Sequence, residues 1–370
     1  MSPRTRKISR AGFGLLLLAL TILAYFIPYY DWDLVAYVGS AITLREHDSK
    51  LIQQQAYTEL RNELPEDDYS DIATGSDFRR DVAQNAQHFR QQLRFYQIRP
   101  LYIWSLAGLH ASRIGYVEAT RLLSVVSFAL IGVLLQFWLR RHVGEMQAYI
   151  CVLLLLITPV LFTSARTGSP DALSAFVVLL GTYFLIEHNA PIVGSALLLI
   201  SLLLRTDNVV YVFIVCTVAA ALRTSEKKAR VIPAIAAIAA IGIVLTINHT
   251  EHSYPWPVLM QNTTTPIVNP AEVSPKISVS DYFADVHDMI DEARENSVTV
   301  FPFIAALALF ALQTPSKLKR LVKIVLLSWA AHLVLYPHIE DRYFIAGAAM
   351  IGVAAVAGMH EATSPSVANQ

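Results

Sequence analysis

Ten apolar runs separated by polar segments divide this chain of 370 residues. Threading those runs through a bilayer gathers nearly every unusual acidic, basic or histidine side chain on one side. A chain that is 54% hydrophobic and only 16% charged is too apolar for an ordinary soluble enzyme, whose charged fraction is about 25%. The expectation is an all-α integral membrane protein, a bundle of about ten transmembrane helices forming a single multi-pass domain over 1–370. Acidic and basic residues balance, so there is no global positive field for nucleic acid, which is excluded as a partner in favour of membrane lipid. Cys151 and Cys216 fall inside apolar runs without ligand spacing, which points to packing and not to a disulfide or a zinc site.

A span needs roughly 17 to 25 residues, fewer in a crowded bundle. The candidates are 11–28, 118–139, 146–163, 171–187, 191–204, 208–222, 231–248, 297–313, 321–336 and 342–358. Arg4, Arg6, Lys7 and Arg10 before the first run have the pattern of a secretory leader, but no small-residue cleavage pattern follows. The run closes on Phe26, Ile27, Pro28, Tyr29 and Tyr30, the aromatic belt of a retained helix. With the N-terminus inside, the cytoplasmic loops hold Arg140 and Arg141, then Arg223, Lys227, Lys228 and Arg230, then Lys317, Lys319, Arg320 and Lys323. That satisfies the positive-inside rule. The opposite face receives two long loops, 29–117 and 249–296, and three short turns. The expected location is the plasma membrane, a bacterial inner membrane, with the working side periplasmic.

The first outer loop has structure of its own. Leu34 to Leu44 has helical apolar spacing, and Asp81 to Tyr96 reads as a polar helix along the interface, with aromatics at Phe89, Phe95 and Tyr96. The stretch from Arg99 to Leu109 is too short to span and is expected to be re-entrant or surface-lying. Glu59 to Asp81, acidic and turn-rich with Pro65 and Gly75, is expected to be the mobile part.

Several constellations could carry chemistry. Asp31 and Asp33 flank Trp32 just outside the first span, and Asp33 and Tyr37 lie one helical turn apart on one face. A partly desolvated carboxylate there can serve as general base toward a hydroxyl; the competing reading makes Asp31 a helix cap. Arg166, Ser169, Pro170 and Asp171 form one outer turn, and Arg205, Thr206 and Asp207 another. Capping explains each singly, whereas two turns with Arg and Asp at one depth suggest a shared polar pocket. In the last outer turn stand His338, Glu340, Asp341 and Arg342. An arginine at that depth suits a lipid phosphate; snorkelling with a local ion pair is the alternative. His332 lies one turn deeper and reads as a packed histidine. His249, Glu251 and His252 are read as solvated, with a metal discounted, and Asn248 and Asn262 stand in sequons.

Taken in order, these segments resemble the GT-C superfamily of integral-membrane glycosyltransferases. The resemblance rests on Asp31-Trp32-Asp33 with Tyr37 and Ala41 downstream, Arg99-Pro100-Leu101-Tyr102 before Gly115, and Arg121-Leu122-Leu123-Ser124. It continues in Ser169-Pro170-Asp171-Ala172-Leu173, Arg205-Thr206-Asp207 and Asp341-Arg342-Tyr343-Phe344. The Lys-Pro-Pro form of the early loop motif is missing. The resemblance implies a GT-C-like bundle and a hexosyl- or pentosyltransferase. Such an enzyme moves a sugar, with inversion, from a polyprenyl-phosphate donor to a lipid-linked glycan, polysaccharide or protein acceptor. It implies Asp33 as the catalytic base with Asp31 as partner, and Arg342 with Arg205 for the donor phosphate. The expected substrate pocket is Tyr37, Arg99, Arg166, Asp171, Asp207, His338 and Glu340. A divalent cation, Mg or Mn, would be held by Asp31 and Asp33 if at all. The competing classes are a transporter or flippase, which would place ionisable groups at the midplane, and a catalytically silent scaffold.

Overall fold

The computed structural model describes residues 3–222, 227–274, 276–295, 308 and 316–363. Among these the chain is all-helical, with eighteen α-helices and no strand beyond an isolated bridge between Tyr29 and Thr167. The first helix, α1 (Pro3–Phe26), is followed by six short ones: α2 (Asp33–Ile42), α3 (Ser49–Glu63), α4 (Glu66–Thr74), α5 (Asp77–Gln84), α6 (Ala86–Gln97) and α7 (Pro100–Ala111). The apolar bundle resumes with α8 (Tyr116–Leu139), α9 (Glu145–Leu156), α10 (Pro159–Arg166), α11 (Asp171–Thr182), α12 (Pro191–Ser201), α13 (Val209–Leu222) and α14 (Lys227–Thr250). Then come α15 (Trp256–Thr264), α16 (Val279–Glu295), α17 (Ser316–Leu335) and α18 (Ile345–Thr363).

Among the described residues, three helices are long and apolar enough to cross a membrane: most of α1, α8 and the part of α14 from Arg230 to Thr250. A fourth crossing arises if α9 and α10, bent by 65°, count as one. That bend divides the run expected at 146–163. Pro159 donates no backbone N–H and cannot continue the helix before it, so a second helix starts there with proline in its first turn. The run at 171–187 ends in a π-helical turn, Tyr183–Glu187, and the run at 191–204 contracts to the eleven residues of α12. The run at 297–313 lies outside the described residues except for Ala308, as does Arg223.

The bundle has two unlike ends. At one, Arg6 and Arg10 of α1 reach Glu145 at 3.3 and 2.8 Å, and Arg140 at the end of α8 comes within 3.7 Å of the same carboxylate. At the other, the Tyr25 hydroxyl donates to Glu118 at 2.8 Å and Arg121 donates to the Tyr25 carbonyl at 2.6 Å. One apolar core fills the bundle, around Phe128, Leu135, Trp138, Leu179, Leu198, Cys216 and Met350.

A second core sits at the Tyr25 end, built by α2 to α7 around Tyr37, Ile52, Leu60, Ile72, Phe89 and Tyr102. The segment Glu59 to Asp81, read from its charge as mobile, is helical and packs into this core: Leu60 and Ile72 are fully buried, and Ser76 caps α5 by accepting from the Arg79 amide at 3.2 Å. The charge density of the segment belongs to its solvent face and conceals this sparse apolar one. The helix expected over Asp81 to Tyr96 is two, because Asn85 ends α5 and caps α6, accepting from the Gln87 and His88 amides at 3.0 and 3.3 Å. α7, as its length predicts, is a short helix whose Tyr102, Ile103 and Leu106 are buried.

Candidate active site

At the Tyr25 end a cavity of about 950 Å³ opens between the bundle and the two long loops. The loops are tied together above it. Gln92 on α6 donates to the carbonyls of Ile267 and Val268 at 2.6 and 3.2 Å, and the Tyr254 hydroxyl donates to the Gln91 carbonyl at 3.2 Å. Trp256, Leu259 and Asn262 of α15 contribute one wall.

Two charge clusters line this space. In the first, α2 presents Asp33 in its opening turn, where the helix dipole favours an anion. One Asp33 oxygen accepts from the Tyr96 hydroxyl at 2.6 Å and the other from Arg342 Nη1. Arg342 also donates through Nε to Glu340, and His338 Nε2 lies 3.8 Å from the same carboxylate. Against the upward push of burial, His338 and Arg342 hold the Glu340 carboxyl down at about 2. Burial, then the Asp33 charge, pushes the Tyr96 phenol well above its ordinary value, so Tyr96 is the donor in its bond to Asp33.

The second cluster is centred on Arg205, which is buried. Its Nε and Nη2 form a fork on Asp207 at 3.0 and 2.9 Å, and its Nη1 donates to Asp171. The free Asp171 oxygen accepts from the Ser169 hydroxyl at 2.7 Å. Burial works against the charge of Asp207, yet Arg205 keeps its carboxyl at about 2. The Tyr343 ring joins the clusters, with the Arg205 guanidinium 4.9 Å and the Arg342 guanidinium 5.6 Å from its centroid.

Each arginine thus serves two carboxylates, and Asp31 has no hydrogen-bonded cation. It does not cap α2, whose N-cap is Trp32 without a side-chain bond. Its Oδ1 is sealed from solvent with no hydrogen-bond partner among the described residues. Burial, followed by the charge of Asp33, pushes the Asp31 carboxyl up to about 8.

Of the expected site residues, Asp31, Asp33, Arg99, Asp171, Arg205, Asp207, His338, Glu340 and Arg342 all line the cavity. Arg99 stands 5.4 Å from the ring centroids of both Tyr37 and Tyr96. Tyr37 does not reach the cavity: it is buried, with its ring 5.1 Å from Tyr96 and 5.0 Å from Tyr102. Arg166 does not line it either. Its Nε donates to the Ile27 carbonyl at 2.6 Å and its carbonyl accepts from Tyr29 at 3.0 Å, which fastens the segment that carries Asp31. Tyr343, which the sequence places in the last outer turn beside Arg342, also lines the cavity, as does Tyr96. Nothing in the sequence pairs Tyr96 with Asp33, since their contact depends on how α6 packs on α2.

That packing is close at Gly39, where an added Cβ would stand 2.7 Å from the Phe89 ring. Gly347 plays the same part for Arg342, letting α18 meet Trp329 of α17. Both oxygens of Asp33 accept hydrogen bonds, and among the described residues no group of three His, Cys, Asp or Glu is gathered as metal ligands.

Compared with known protein families, with curated proteins and with solved structures, the chain finds no match.

Proposed function

We propose that this protein is an integral-membrane glycosyltransferase of the GT-C type. In this reading it crosses the plasma membrane about ten times, with the Arg6 and Arg140 end cytoplasmic and the cavity on the outer, periplasmic side. The observation that carries the reading is the meeting, in one cavity, of a half-buried carboxylate, one oxygen of which has no hydrogen-bond partner among the described residues, and an arginine placed for a phosphate. These are Asp31 and Arg342. The cavity is large enough for a saccharide, and its walls run from the charged clusters down to Val209, Val210 and Val244, a surface suited to a polyprenyl chain.

In the reaction proposed, an acceptor hydroxyl oxygen attacks the anomeric carbon of the donor sugar. The new glycosidic bond forms as the bond between that carbon and the phosphate oxygen breaks, with inversion. The hydroxyl proton passes to a carboxylate, and the departing polyprenyl phosphate carries away the electron pair. Arg342 stabilises the charge that develops there. Family offsets favour Asp33 as the base, but the geometry favours Asp31. Asp33 is engaged on both oxygens and positions Arg342, while Asp31 offers a free oxygen and a proton affinity matched to the task. Arg205, surrounded by Asp171 and Asp207, acts through Tyr343 and does not meet the donor directly. No step is routed through a metal ion.

The test is sugar transfer from a panel of polyprenyl-phosphate sugars by membranes holding wild type, Asp31→Asn or Asp33→Asn at matched expression. Turnover of one donor that collapses on substitution establishes the transferase. Absence of turnover with every donor sinks it and favours a transporter or a silent scaffold.

A further inference from the structure

Burying a polar atom without a hydrogen-bond partner is costly, so one in a cavity wall asks for a ligand that completes it. Besides Asp31, three side chains in the cavity wall hold one: Trp32, His332 and Asn248. His332 Nε2 and Asn248 Oδ1 are both sealed from solvent and have no partner among the described residues. They come from different helices, α17 and α14. His332 is nine-tenths buried, and its ring is set among Tyr343, Tyr336 and Phe344 at centroid distances of 5.0, 5.6 and 6.1 Å. The imidazole is therefore held in place by its aromatic neighbours.

The chemistry of the two groups selects among the parts of a donor. An isoprenoid chain offers nothing to hydrogen-bond, and a phosphate is better met by Arg342. A sugar hydroxyl donates and accepts at once, which is what an imidazole and a carboxamide together complement. We propose that His332 and Asn248 form the subsite that reads the hydroxyl pattern of the transferred sugar. This rests on the transferase reading and adds to it the residues that choose the donor. A site built to hydrogen-bond a hydroxyl discriminates strongly against a sugar that lacks it or presents it elsewhere, because its own buried groups are then left unpaired.

The experiment measures binding to the full-length protein in nanodiscs. The probes are decaprenyl phosphate alone and decaprenyl-phosphate mannose, glucose, galactose and arabinose. For wild type, one sugar should bind about tenfold or more tighter than bare decaprenyl phosphate. His332→Phe, which keeps the aromatic packing and removes Nε2, and Asn248→Ala should each reduce that increment to about threefold or less. Both should leave the affinity for decaprenyl phosphate unchanged. A sugar increment retained in both variants overturns the subsite while the transferase reading stands. Failure of wild type to bind decaprenyl phosphate at all overturns the transferase reading and the subsite with it.

Discussion

Arg342 donates to Asp33 although 309 positions separate them in the chain. One stands at the start of α2, the other just before α18 begins, and their ion pair closes the cavity wall by joining the first helix of the outer core to the last helix of the bundle. Because Glu340 and Asp33 hold the guanidinium from two sides, its planar fork is aimed before any phosphate arrives. Such preorganisation is what makes a charge effective in stabilising a leaving group.

The division of labour between the two aspartates gives the first expectation. Asp31→Asn lowers kcat for sugar transfer by about a hundredfold to ten-thousandfold with little change in KM, the signature of a lost general base. Asp33→Asn releases one side of Arg342, so it raises KM and lowers kcat together by about tenfold. The reverse pattern in steady-state kinetics assigns the base to Asp33.

Arg342→Lys keeps a positive charge but loses the fork, and transfer falls by about tenfold or more. Arg342→Ala falls further and weakens binding of decaprenyl phosphate. Equal transfer by wild type and both variants would remove Arg342 from the reaction.

The pH profile follows from Asp31, whose carboxyl is pushed to about 8 by burial and the neighbouring Asp33. At pH 7 only about a tenth of the molecules carry it ionised, so kcat/KM rises about tenfold between pH 7 and pH 9 and then levels. Stability runs the other way. A folded-state value above the unfolded one means the group contributes fully below the unfolded value and loses that contribution as pH rises through about 8. Thermal unfolding in detergent should show a melting temperature that falls over that window in wild type and falls less in Asp31→Asn.

Removing Arg205 strands two carboxylates. Arg205→Ala should destabilise the fold by about 3 to 5 kcal/mol, because Asp171 and Asp207 lose their counter-charge in a buried setting. The triple variant that also carries Asp171→Asn and Asp207→Asn should recover much of that loss, as read by denaturation in detergent. No recovery would place the cost in the Arg205 contact with Tyr343.

Gly39→Val drives a branched side chain into Phe89 and should cost about 1 to 3 kcal/mol through overpacking. Because α2 carries Asp33 and α6 carries Tyr96, transfer should fall as well, even though residue 39 lies outside the cavity. A variant of unchanged melting temperature and activity would show that the two helices can separate freely.

Legibility in the sequence followed the range of each interaction. The ends of α8 and the shortness of α7 could be read ahead of the fold, because each depends on composition and spacing within a few turns. That Asp31, Asp33, Asp171, Arg205, Asp207 and Arg342 stand on one side follows from threading the apolar runs, whereas their meeting around one cavity depends on packing. The packing of Glu59 to Asp81 is not legible, because apolar residues as sparse as Leu60 and Ile72 make a core only when other helices supply its remaining walls.

The sequence by itself determined that this is an all-helical, apolar chain whose unusual charges collect at one end. Apolar run length and the placement of charge are local properties, already present before any packing. Only the tertiary structure decided which charge meets which. It paired Asp33 with Arg342 and Asp171 with Arg205, turned Tyr37 into the outer core, spent Arg166 on the Ile27 carbonyl and left Asp31 Oδ1 without a hydrogen-bond partner among the described residues. Those outcomes depend on the distance and rotation between helices far apart in the chain, where a shift of one residue in packing exchanges the partners of every polar side chain on the face.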